Sequence, residues 1–126
     1  MIRTSLILTG SYDDITEVSK QLTIHPCETR TSFPQNSIAD PFWYTEVASN
    51  CPSVDETIQI LIARISKSMN FIMDKCLNSE VEPTIQVLIN CSYMNRPEIS
   101  FSPKSIEFIS KIGAELCLDV SYDVTE

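Results

Sequence analysis

Glycine is nearly missing from this chain, with Gly10 and Gly113 the two among 126 residues. Phosphate-cradling loops need several glycines close together, so nucleotide sites of that kind are excluded. Histidine occurs once, as His25, beside Pro26 and two residues before Cys27. Residues two apart on a strand sit roughly 7 Å apart, too far for the hydrogen bond of a Cys–His dyad. His25 is therefore expected in a partly exposed loop. There is no C-x-x-C motif, and the five cysteines, Cys27, Cys51, Cys76, Cys91 and Cys117, are odd in number. The apolar opening from Met1 to Leu8 is too short for a secretory signal and runs into a strand pattern. The expected location is cytoplasmic, with the cysteines reduced and packed as small hydrophobes rather than bridged or bound to zinc. No run of about 18 apolar residues occurs, so no membrane-spanning helix is expected.

Positive charge is also sparse, at nine basic residues against seventeen acidic ones and a net charge of −8. Counterion release on nucleic acid needs a basic stripe, which argues against nucleic acid and, equally, against an anionic membrane surface. A basic protein would be attracted, since complementary charge speeds encounter and rejects wrong partners. Solubility alone would account for the same acidity, and composition does not separate the two.

What is present reads as one domain over 1–126. Thr4 to Thr9 is a short strand closed by Gly10. Asp14 as N-cap with Glu17 three residues on opens a helix carrying Ile15, Val18 and Leu22 on one face, and His25-Pro26 ends it. Glu28 to Phe33 and Phe42 to Ala48 are strand-like, joined by a proline-bounded loop. Ser53-Val54-Asp55-Glu56 is a capping box opening a long helix to about Leu77. Thr84 to Tyr93 alternates as a strand, and Glu98 to Phe101 is expected to return as its antiparallel neighbour. Ser102-Pro103 begins a last helix with Ile106, Ile109 and Ile112 inward and Gly113 as the left-handed cap. A final strand alternates Leu116, Leu118, Val120 and Tyr122 with Cys117, Asp119, Ser121 and Asp123. These elements predict an α+β two-layer sandwich. Its sheet would be largely antiparallel with three helices on one face, in an extended ferredoxin-like order, βαββαββαβ.

Catalytic groups are hard to find. Asp13 with Asp14, and Asp55 with Glu56, are the closest carboxylate pairs, and each stands where a helix start favours negative charge. Calcium-loop, H-E-x-x-H and G-x-S-x-G patterns are absent. The reading is a non-enzymatic domain without cofactor or metal. A hydrolase working through these carboxylates is the weakest of three functional readings. The strand alternation points instead to the sheet face opposite the helices, with Gln86, Asn90, Ser92 and Ser121 among its polar residues. The candidate partner-binding residues there are Asp119 and Asp123, supported by Glu115, Glu46 and Tyr44, with Trp43 and Val47 turned to the core. Glu115, Asp119 and Asp123 would follow one another at roughly 13 Å along the strand. A wet sheet face is polar in any case, so solvation is the competing explanation.

The residues also carry a resemblance. Leu6 to Gly10 followed by Asp13-Asp14-Ile15, Leu22-Thr23-Ile24-His25-Pro26 leading to Thr29, the strand around Trp43, and Phe101-Ser102-Pro103 with Ile106, Ile109, Ile112, Gly113, Ala114, Leu116 and Asp119 resemble the bacterial domain-of-unknown-function family 4279 over most of the chain. Thr23 and Ala39 stand where relatives tend to have glycine, so the helix cap and loop there are expected to differ. The resemblance implies no activity and assigns no functional residue. By size, charge and lack of catalytic groups the chain also looks like an immunity protein. That likeness implies a basic partner, such as a toxin nuclease domain, blocked by occlusion with carboxylates in its phosphate site. The alternative is a small-ligand-binding regulatory domain, with a metabolite held at a dimer interface made from the sheet edge or the helix ends. The oligomeric state is left open by the sequence.

Overall fold

The period-two pattern of the strands sets the architecture. In β1 (Ile2–Thr9) the buried alternate residues are Ile2, Thr4, Leu6 and Leu8. Trp43, Thr45 and Val47 continue that face in β3 (Phe42–Ser49), and Ile85, Val87 and Ile89 in β4 (Glu82–Cys91). The computed structural model describes residues 1–22, 28–32, 40–50 and 53–123. Among these, five strands form one sheet in the order β2-β3-β1-β4-β5, with β2 spanning Glu28–Ser32 and β5 Glu115–Tyr122. The pairings β2–β3, β3–β1 and β1–β4 are antiparallel, and β4–β5 is parallel. The α+β class holds.

The helices are α1 (Tyr12–Gln21), α2 (Val54–Ile65), α3 (Met69–Asn78) and α4 (Pro103–Ile112). Their buried residues, among them Val18, Ile58, Leu61, Ile72 and Phe108, join the apolar strand residues in one core cluster. Among the described residues no helix lies on the opposite face of the sheet. A 2.7 Å hydrogen bond between the hydroxyls of Thr4 and Thr57, both fully buried, fixes α2 to β1 and satisfies two polar groups inside that core.

Several expectations need correction. Glu98 to Phe101 is not a strand and makes a single isolated parallel bridge, Ser53 to Glu98. β4 already has β1 on one side and β5 on the other, so no edge remains for it. The N-cap of α1 is Ser11, whose Oγ accepts from the Asp14 amide at 3.2 Å, which places Asp13 and Asp14 in the first turn. The long helix is divided into α2 and α3 by a three-ten turn at Ser66–Ser68. There the Ser66 hydroxyl bonds back to the Ala63 carbonyl at 2.9 Å, a competitor of the helical ladder. Ile106 is 55% exposed, because the core stripe of α4 runs through Ser105, Phe108 and Ile112. Ser53 caps α2 as expected, its Oγ accepting from the Glu56 amide at 3.3 Å, and Trp43 points inward as expected. His25, Pro26, Cys27, Thr23, Ala39 and Cys51 lie outside the described residues.

The starts of α2 and α4 are tied by a polar joint. Asp55 Oδ1 accepts from the Ser102 amide at 2.8 Å and from the Ser105 hydroxyl at 2.6 Å. Gln59 Nε2 donates to the hydroxyls of Ser105 at 2.9 Å and Ser102 at 3.1 Å. Desolvation works to raise the Asp55 pKa, but the bonds from Ser105 and Ser102 outweigh it and hold it below the ordinary value of 3.8. A carboxylate depressed in the folded state stabilises above its unfolded pKa, and that contribution is lost as pH falls through the folded value. Asp55→Ala should therefore lower stability at pH 7 by about 1–3 kcal/mol, since it strips a partner from the fully buried Ser105. In thermal melts, the gap between wild type and variant should narrow as the pH is taken below 3.8, because the charge-dependent part of the joint is lost. A gap independent of pH would show that the joint does not depend on the charge. At the other end of α4, Gly113 has φ +68° and nothing within 4 Å of where a Cβ would stand. Gly113→Ala should cost roughly 1–2 kcal/mol through backbone strain alone, and Gly113→Asn less, as read by chemical denaturation.

Candidate functional site

The uncovered sheet face is assembled by register. One row across it reads Tyr44, Ile7, Thr84, Glu115, the next Glu46, Ser5, Gln86, Cys117, and the third Ala48, Arg3, Leu88, Asp119. All of the candidate residues on strands, Tyr44, Glu46, Glu115 and Asp119, thus lie on one face. Asp123 follows β5 directly, and its amide extends the ladder to the Cys91 carbonyl at 2.9 Å. The five do not form a single cluster. β3 and β5 are three strand spacings apart, about 14 Å.

Local electrostatics divide them further. Arg3, which the sequence analysis did not single out, stands on this face with its Nη1 3.6 Å from Glu46 Oε1. The Ser5 hydroxyl donates to the other Glu46 oxygen at 3.3 Å. Glu46 is therefore partly neutralised in place. Tyr44 lies against Phe42, ring centroids 6.0 Å apart. Glu115 and Asp119, on the outermost strand, are exposed. A hollow of about 280 Å³ lined by Arg3, Leu88, Asp119 and Ser121 separates Arg3 from the β5 acids. The period of two in β1 could have found Arg3, since it alternates with the core residues Ile2 and Thr4.

The helix-side face of β5 is unlike that of its neighbours. Leu116 packs against the core, but Leu118 and Val120 are 41% and 36% exposed. These two were expected to be covered by helices. α4 packs against α2 and α3, and its cover falls short of the outer strand. At the end of β5, Tyr122 stacks on Tyr93 at 4.3 Å between centroids, with the Arg96 guanidinium 5.3 Å and 5.8 Å from the two rings.

The remaining chemical candidates serve the fold. Asp14 and Glu17 face Lys75 of α3 at 4.0 Å and 2.6 Å, and the Glu17 hydrogen bond raises the lysine pKa. Asp55 belongs to the joint with α4, and Glu56 is exposed at the start of α2. Burial pushes the Cys76 thiol up to about 11, and desolvation followed by Glu115 raises that of Cys117. Neither is a thiolate at neutral pH. Among the described residues no group of three or more histidine, cysteine or acidic side chains could hold a metal ion, and no helix is long and apolar enough to cross a membrane. A polar cleft of about 580 Å³ lies where β1 begins and β3 and β4 end, lined by Asn50, Asn90, Asn95, Arg96 and Asp123 among others.

No curated protein and no solved structure matches the chain. One family model does, that of a domain of unknown function (DUF4279), and it covers residues 1–123. The chain that carries this half-covered sheet and its acidic outer strand belongs to that family.

Proposed function

We propose that this protein is a non-enzymatic binding module for a basic protein, and that its acidic outer strand makes the contact. The observation that carries the reading is the exposed row on β5, where Glu115 and Asp119 lie four residues apart on one face with Asp123 following. At strand rise this row spans roughly 26 Å, long enough to meet several lysines or arginines. The concrete form is an immunity protein that occludes a toxin nuclease, with the β5 carboxylates occupying the positions where the nuclease holds substrate phosphates. Glu46 and Tyr44 contribute from the far side of the same face. We also read β1 to β4 as ferredoxin-like, extended by β5. The order β2-β3-β1-β4 and its antiparallel pairings support that reading.

A second reading, a small-ligand regulatory domain, is favoured by the polar cleft at the strand ends with its three asparagines and Arg96. A thermal-shift panel of amino acids and nucleotides separates the two. A rise in melting temperature lost on Arg96→Ala would favour the cleft.

The charge reversal Asp119→Lys with Asp123→Lys tests the first reading against a basic nuclease-like protein encoded beside the gene. Affinity at low salt should fall by at least about tenfold, mostly through slower association, and the loss should shrink as salt rises. Folding stability should stay within about 0.5 kcal/mol of wild type. Unchanged binding by a folded double variant would return these acids to a solubility role.

A further inference from the structure

We infer that the free edge of β5 accepts an extended segment of the partner as a sixth strand, with basic residues on the open-face side and aliphatic residues on the helix side. This rests on the proposed binding of a basic protein and names how that partner is held. Among the described residues β5 ends the sheet and pairs only with β4. The Asp123 amide points to β4, where it meets the Cys91 carbonyl. Backbone groups alternate along a strand, so Cys117, Asp119 and Ser121 also turn theirs towards β4. Leu116, Leu118 and Val120 turn theirs outward, to the unpaired edge.

Edge strands are normally blunted by shortness, proline, lysine or a bulge. The opposite edge, β2, has five residues, whereas β5 has eight with no proline, glycine or lysine among them. Leu118 and Val120 stand 41% and 36% exposed on one side of that edge, and Glu115 and Asp119 are exposed on the other. Cross-strand neighbours stand about 5 Å apart, so an added strand must complement both sides at once. Alternating aliphatic and basic residues do so. A second copy of this chain does not complement it, because self-pairing brings two rows of β5 carboxylates together.

The test uses a labelled short peptide alternating lysine and valine, and two N-methylated forms, one methylated on the valines and one on the lysines. An antiparallel addition needs the valine amides and a parallel one the lysine amides. Fluorescence anisotropy should show one methylated form weakened by at least about tenfold and the other binding like the parent. Val120→Pro, which deletes an outward amide at a position edge strands tolerate, should weaken the parent peptide in the same way. Should that variant fail to fold, the two methylated peptides on the wild-type chain still decide. Equal affinity of the two methylated forms would overturn strand addition, and with salt dependence intact would leave the acidic-face reading standing. Absence of any peptide binding at low salt would overturn both. A dimer of the chain alone in sedimentation, reverting to monomer on Val120→Pro, would assign the edge to a second copy and overturn the proposal.

Discussion

The structure depends on β1 being paired on both sides while only one of its faces is sealed. Ile2, Leu6 and Leu8 point into the core, and β3 and β4 take up the backbone groups on either edge. Once those residues are committed to the helix side, the period of two sends Arg3, Ser5 and Ile7 to the other side. Everything on the uncovered face follows from that choice, including Glu46, drawn in by Arg3 and Ser5. The paired hydroxyls of Thr4 and Thr57 lock α2 over β1, so a register slip would bury unsatisfied polar groups.

The sheet is wider than the layer of helices that covers it. α2 packs over β1 and β3 and α1 over β3, while α4 leans on α2 and α3. β5 is joined to β4 in parallel at the margin, and Leu118 and Val120 lie beyond full cover. The polar joint of Asp55, Gln59, Ser102 and Ser105 holds the start of α4 against α2 and so sets where the helix layer ends. A structural arrangement in the core thus leaves a strand with one apolar side, one acidic side and an unpaired edge.

Much of this could be read from sequence because strand alternation and helix caps are local signals. The faces of Trp43, Val47, Ile85 and Val87, the cap at Ser53 and the left-handed Gly113 needed only their near neighbours. The candidate face was legible for the same reason, as Tyr44, Glu46, Glu115 and Asp119 share one side by parity. What failed needed knowledge of the third dimension. Glu98 to Phe101 looks like a strand until β5 is found occupying its place beside β4. Ile106 follows the isoleucine spacing, but the packing of α4 selects Ser105 and Phe108 instead, because Asp55 draws Ser105 inward. Arg3 beside Glu46 is a cross-strand pair, set by a register that no single segment encodes.

Strand addition requires that the outer edge of β5 be open in the free protein, and residue-resolved amide hydrogen exchange reads that directly. Amides bonded to β4, those of Cys117, Asp119 and Ser121, should be protected. Those of Leu118 and Val120 should exchange nearly as fast as unstructured chain. Protection alternating along β5 is the predicted result. Uniform protection from Leu116 to Ser121 in the free chain would mean the edge is already paired, and would contradict the account.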